Sequence, residues 1–191
     1  MEPKSSRAHA HHFACHLVWT GAASGGTTSY ERYSREVRTE VVGKPPLALS
    51  AAPAFQGDAA LLNPEDLLVA SLSSCHFLSY AALCARSGIV VLAYEDDARG
   101  TMDRVDGVTR FTEVVLRPKV TLAPGADAAK ARALHERAHA ICFIANSVDF
   151  DVRNEPTIVF APPSAMEGLR PPDTQEPTTA EGAQARGPSR A

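Results

Sequence analysis

The chain is poor in aromatic residues, in net charge and in long apolar runs, and each shortage closes off a class of protein. Aromatic side chains make up 6% of its 191 residues, with a single tryptophan. The formal net charge is −3, with 19 basic residues against 22 acidic ones, so there is no basic footprint of the kind that grips nucleic acid. No uninterrupted apolar stretch approaches the ~18 residues that cross a bilayer, which argues against a membrane protein. The opening MEPKSSRAHAHH carries basic side chains with no apolar segment behind them, so no secretory signal is expected. The expected setting is the reducing cytoplasm, where cysteines are free, catalytic or metal-bound rather than joined in structural disulfides. Four cysteines are present. A chain of this length builds a core without a disulfide or metal staple.

The organisation is uneven. Residues 163–191 are rich in Pro, Thr, Glu, Gln and Gly, with Met166 and Leu169 nearly their only large apolar side chains, and are expected to be disordered. Residues 1–8 read the same way, which leaves one folded domain over 9–162. Within it, 11–20 alternates as a strand with Phe13, Cys15, Leu17 and Trp19 on one face. GAASGGTTS (21–29) is a loop, 33–42 a second strand, and the Pro- and Ala-rich 43–62 a crossing segment.

Asn63-Pro64-Glu65-Asp66 is a strong helix start: an N-cap, a proline pre-set for the first turn and two acids at the positive end of the dipole. That helix runs to Arg86 and stops at Gly88. Strands over 89–102 and 108–122 follow, joined at Asp106-Gly107, a hairpin signal. A second helix covers 127–145 and a last strand 149–160. Strands come in pairs rather than in βαβ alternation, so the fold class is α+β. The first helix is apolar almost all round, which places it inside a protein or a subunit interface; for so small a domain the interface is favoured.

Cys15 on a strand and Cys84 near the end of the first helix read as small core hydrophobes. Cys75, in SLSSCHF, and Cys142, in AHAICFI, also have small or apolar neighbours, and packing alone would make them core residues too. Their wider surroundings say more. NPEDLLVASLSSCHFLSYAALCARSGI followed by LHERAHAICFIANSV resembles the OsmC/Ohr family of organic hydroperoxide reductases over about residues 12–160.

The resemblance implies antiparallel sheets wrapped around two long central helices in an intertwined homodimer. It also implies a cysteine peroxidase without a cofactor. Cys75 would attack an organic hydroperoxide and become a sulfenic acid. Cys142 would condense with it to a disulfide, which a dihydrolipoamide-type dithiol would reduce. The chemistry asks for such a pair, since the thiolate is the nucleophile and a second thiol protects the sulfenic acid from over-oxidation.

The family also implies a glutamate, matched by Glu65, that holds an arginine beside the reactive cysteine. A first-turn acid is favourable in any helix, so Glu65 has a structural reading as well. Glu65 and Cys75 are ten positions apart, about 15 Å of helical rise, and so cannot share a site within one helix. If both serve one site, Glu65 comes from a second subunit, which gives composite sites. Family members carry the arginine in the Gly-rich loop, which here has none. Arg32 and Arg35 are the nearest candidates, Arg35 being favoured at the start of a strand, with Arg38 further along. Phe143 stands where the family often has proline after the second cysteine. Phe55, Phe77, Tyr80 and Phe143 are candidates for an apolar substrate pocket, with core packing as the alternative.

Two other readings stay open. One is an OsmC-like dimer that binds an apolar ligand or senses oxidation without efficient peroxidase activity. The other starts from His135-Glu136-Arg137-Ala138-His139, which spells H-E-x-x-H, a zinc-hydrolase signature when on a helix. Cys142 continues that face seven positions on, so a site of two histidines and a cysteine is conceivable. No third histidine follows at metzincin spacing and Glu155 is the only plausible downstream carboxylate, so a polar helix face is the favoured reading there. His9, His11, His12 and His16 read as solvated or tag-like, with adventitious metal binding as their only sharper reading.

Overall fold

A computed structural model describes residues 10–166 of the chain. The expected disordered segment 1–8 and most of 163–191 lie outside the described residues; Pro163–Met166 form a short 3-10 turn.

The first long helix, α1, spans Pro64–Arg86, as its sequence signals require. Asn63 accepts a hydrogen bond from the Asp66 backbone N–H at 2.8 Å, and the Asp66 carboxylate accepts one from the Asn63 N–H at 3.2 Å. This reciprocal capping box satisfies two of the donors a helix start leaves orphaned. Gly88 turns the chain out of the helix at φ 73°. The second helix, α2, spans Ala128–Ile141 and is capped by Asp127. It ends four residues short of its sequence-based limit. The Asn146 side chain folds back and donates to the carbonyls of Ala140 and Cys142, at 3.1 and 2.9 Å, and so caps the end of the helix.

Strands β1 (His16–Trp19), β2 (Val37–Glu40) and β3 (Leu47–Leu49) form an antiparallel N-terminal sheet. β1 and β2 are shorter than the alternation suggests, and β3 lies inside the segment read as a crossing. The face expected to be buried is open in the single chain. Phe13 is 95% and Leu17 57% exposed, and Cys15 is an exposed thiol rather than a core residue.

The rest of the sheet structure is a three-stranded ribbon bent at its middle. The expected hairpin is there, turning at Asp106 and Gly107, both with positive φ. Each of its arms is cut in two: β4 (Val91–Asp96) and β5 (Arg99–Val105) on one side, β6 (Val108–Leu116) and β7 (Pro118–Leu122) on the other. The last expected strand is cut likewise into β8 (Asp151–Asn154) and β9 (Thr157–Phe160), at Glu155-Pro156. β8 runs parallel to β6 and β9 parallel to β7, so the sheets are mixed, where antiparallel sheets were expected. The corner is pinned by polar contacts. Asp96 accepts from the Arg117 N–H at 2.7 Å, Glu155 donates its N–H to Leu116 at 2.9 Å, and the Arg117 and Glu155 side chains pair at 3.0 Å.

The bend gives α1 two floors. Its first half lays Leu72 on Val114, Leu116 and Val152. Its second half joins α2, with Tyr80, Leu83 and Cys84 packed on Leu134, Ala138, Val120 and Leu122. Gly100 lets β5 come close beneath α1, since a side chain there would strike Phe111 and Val69. α1 has the length and mean hydropathy of a membrane-crossing helix, although polar residues interrupt its apolar run, and only 28% of its most apolar window is buried within the chain. Loss of the capping box tests how α1 is anchored. Asn63→Ala is expected to cost about 1 kcal/mol and to lower the thermal midpoint by about 2–4 °C, as read by circular dichroism.

Candidate active site between the two helices

α1 and α2 bring together the two cysteines that the sequence singled out. Cys75 is half-buried on α1, and Cys142 sits at the C-cap of α2 with 1% of its surface exposed. Burial pushes the Cys142 thiol up to about 11, helped by a hydrogen bond with Cys75, while the backbone N–H groups of Ala145 and Ile144 pull the other way. A bond that favours the protonated form is one in which the Cys142 S–H donates to the Cys75 sulfur. The pair is therefore asymmetric. Cys142 keeps its proton at neutral pH, and Cys75 is the sulfur that a solute can approach.

The other two expected residues are not brought to the thiols within one chain. Glu65 lies two to three turns before Cys75 and opens on a groove of about 800 Å³ between α1 and the bent ribbon, walled by Phe77, Tyr94, Asp96 and Phe111. Its Oε2 is buried without a hydrogen-bond partner. Arg35 precedes β2 and is held locally. It donates to the carbonyls of Tyr33 and Tyr30 at 3.0 and 2.7 Å and to Gln56 Oε1 at 3.2 Å. Its guanidinium also stacks on the rings of Tyr33 and Tyr30, at 4.1 and 4.7 Å. Arg32 is exposed, and Arg38 pairs with Glu40 at the surface, at 2.8 Å. Of the aromatic pocket candidates, Tyr80 is wholly buried core, Phe77 walls the groove, and Phe55 and Phe143 are exposed.

The reading of H-E-x-x-H as a polar helix face holds for the exposed Glu136 and Arg137 but not for His135. His135 is fully buried, stacked on Tyr80 with ring centroids 3.9 Å apart and hydrogen-bonded through Nδ1 to His76 Nε2 at 3.0 Å. Among the described residues no three His, Cys, Asp or Glu side chains are grouped to hold a metal. His76 is the residue that sequence reasoning passed over. Its only signal was a polar residue on the inner face of an apolar helix, one position after Cys75. Burial pushes His76 down to about 4, helped by His139, and pushes His135 down to about 3, helped by His76 and Arg132.

The sequence model of the OsmC-like proteins matches residues 57–155. Among solved structures, an OsmC-like protein of unknown function from Vibrio cholerae is 32% identical, with a TM-score of 0.72 over 78% of this chain and all of that one. An organic hydroperoxide resistance protein from Elizabethkingia anophelis shares the fold at 17% identity, with a TM-score of 0.58 over 80% of this chain and 98% of its own. An uncharacterized Bacillus subtilis protein, YmaD, is 24% identical over 145 residues, which is 74% of this chain and 89% of that protein.

Two measurements check these electrostatics. In alkylation followed by mass spectrometry, exposed Cys15 is modified first, and Cys142 resists at pH 8, reacting only as the pH nears 11. The two histidines bind protons more readily unfolded than folded. Their contribution to stability is therefore intact above about pH 6.5 and is lost as the pH falls towards the folded values near 4 and 3. Urea titrations across that range are expected to show the fall, and His76→Leu/His135→Leu to flatten it.

Proposed function

The chain belongs to the OsmC-like protein family, and from that premise we propose that it is a thiol-dependent peroxidase that reduces organic hydroperoxides. The observation that carries the proposal is the meeting of a reachable Cys75 with a buried, protonated Cys142 across the α1–α2 junction. Several proteins sharing the fold are called organic hydroperoxide resistance proteins, which supports a peroxide-related redox role.

In the proposed reaction, the Cys75 thiolate attacks the terminal oxygen of ROOH, the O–O bond breaks, and the alkoxide takes a proton to leave as ROH. Cys75 is now a sulfenic acid. The Cys142 sulfur then forms an S–S bond with it, losing its proton as the hydroxyl leaves as water. An external dithiol returns both cysteines to thiols and is itself oxidised to a disulfide.

The activating groups are proposed to come from a second copy of the chain. Three features support a homodimer: an apolar α1 that one chain covers only in part, an N-terminal sheet that exposes Leu17 and Leu47, and a Glu65 oxygen buried without a partner. In this reading the Glu65 of one chain orients Arg35 beside the Cys75 of the other, and the dimer acts in the cytoplasm. The clamp of Tyr30, Tyr33 and Gln56 on Arg35 favours a second reading, a ligand-binding or redox-sensing dimer with little turnover.

Cumene hydroperoxide with dihydrolipoamide separates the two. Cys75→Ser is expected to abolish turnover, and Cys142→Ser to leave a sulfenic acid on Cys75 that dimedone labels. Full activity in Cys75→Ser would falsify the peroxidase assignment, and an unreactive wild type would leave the sensor reading. For the composite site, mixing Cys75→Ser chains with Glu65→Gln chains is expected to restore activity, because one mixed site regains both residues. A site contained in one chain restores nothing.

A further inference from the structure

The peroxidase reading uses the two thiols and leaves unexplained the pair of imidazoles beside them. His76 on α1 and His135 on α2 are hydrogen-bonded to each other across the junction at 3.0 Å. Both are buried, at 1% and 0% exposure. Each uses one ring nitrogen in their shared bond, while His76 Nδ1 and His135 Nε2 have no partner. A buried polar pair with half its capacity unused is not an economical way to fill a core. Two leucines would fill similar space without orphaned nitrogens. What the pair supplies that leucines do not is direction.

The direction matters because of where the contacts fall. Cys75 and His76 are neighbours on α1, whereas their partners on α2, Cys142 and His135, are seven residues apart. That is two turns, or about 10 Å of rise. The thiol contact holds one end of this stretch and the imidazole bond the other. Two attachments so spaced fix the line along which α2 crosses α1, and Tyr80, stacked parallel on His135 with an interplanar angle of 14°, keeps that ring from tilting. Ala138, buried between the two attachments, presents only a methyl group and resists a pivot weakly. A disulfide tolerates little error, since its Cβ atoms must come within about 3.5–4.5 Å at a defined dihedral. Small rotations of α2 therefore change how often the two sulfurs meet in bonding geometry.

We propose that the His76–His135 pair is the positioning element of the thiol couple: it sets the lie of α2 across α1 and so sets how readily Cys75 and Cys142 close to a disulfide. The proposal rests on the reading of these cysteines as a redox pair. It concerns closure alone, in which two thiols lose two electrons and two protons to any oxidant. The step that attacks peroxide is not affected.

The test therefore uses no peroxide. Full-length protein is equilibrated with reduced and oxidised glutathione at graded ratios, quenched, and scored by mass spectrometry for the Cys75–Cys142 disulfide. Oxidised glutathione is the electron acceptor and leaves as two reduced molecules. His76→Leu is expected to need a glutathione mixture about tenfold more oxidising than wild type, a shift of about 30 mV for a two-electron couple. His76→Gln places its amide near Nε2 and is expected to restore the wild-type midpoint. His76→Asn, too short to reach His135, is expected to behave as His76→Leu.

Should His76→Leu fail to fold, the double variant His76→Leu/His135→Leu decides, because removing both partners leaves no orphan behind. A double variant that melts near wild type but closes its disulfide less readily supports positioning. Midpoints within twofold of wild type in the folded variants, or a wild type that forms no such disulfide, overturn the proposal. A folded His76→Gln that matches His76→Leu would also overturn it. Failure of peroxide turnover leaves this result standing, and failure here leaves the turnover experiment standing.

Discussion

A 23-residue helix with only five buried residues cannot leave its other apolar side chains to water, and that constraint shapes the rest of the molecule. One chain supplies two floors, the two halves of a bent ribbon, and a second helix over the far end of α1. These cover Leu72, His76, Tyr80, Leu83 and Cys84 and leave Leu78 65% exposed. The N-terminal sheet packs mainly on itself and leaves apolar side chains open in its turn. Unmet apolar surface on α1 and on a loosely attached sheet is the physical case for a second copy, since burial of such surface is worth about 25 cal/mol per Å².

The bend in the ribbon follows from the same need. A straight three-stranded ribbon offers one face, and a helix of some 34 Å would overrun it. Breaking all three strands at one level lets the two halves tilt separately under the two halves of α1. Each break has its own chemistry. Asp96 caps the Arg117 N–H across the corner, Pro156 brings no donor to the ladder, and Arg117 pairs with Glu155 outside it. Ser73, two positions before Cys75 on α1, donates to the corner residue Asp96, so the corner and the thiol pair are parts of one geometry.

Local chemistry made α1 legible from sequence to the residue, because the cap at Asn63, the proline at the first turn and Gly88 each act on their own neighbours. The Asp106-Gly107 turn was legible for the same reason. The strand break at Asp97-Ala98 was not, because nothing local distinguishes it from a continuous strand, while Pro118 and Pro156 do mark the other two breaks and were passed over. The early end of α2 depends on one amide, that of Asn146, reaching back, and no periodicity reports it. The site divides along the same line. Cys75 and Cys142 were legible through a pattern spread over two helices. His76 was not, since a lone histidine on an apolar helix says nothing of its role until its partner, fifty-nine positions on, is known to face it.

Burial at the α1–α2 junction works against charge of either sign. It holds both imidazoles neutral and keeps the Cys142 proton in place, and it also raises Cys84, Tyr80 and Tyr94. A thiolate formed anywhere inside this layer would lack both water and a counter-ion. Cys75 is the one thiol at the junction that is not fully buried, and the Cys142 S–H already points a donor at it. The remaining requirement is a cation. Among the described residues, the imidazoles at the junction are held neutral and Arg35 is spent on carbonyls and rings elsewhere. On the proposed peroxidase reading, such a couple is complete on the side that resolves and open on the side that attacks. On the proposed reading that charge comes from a second copy, at the face where α1 is still uncovered.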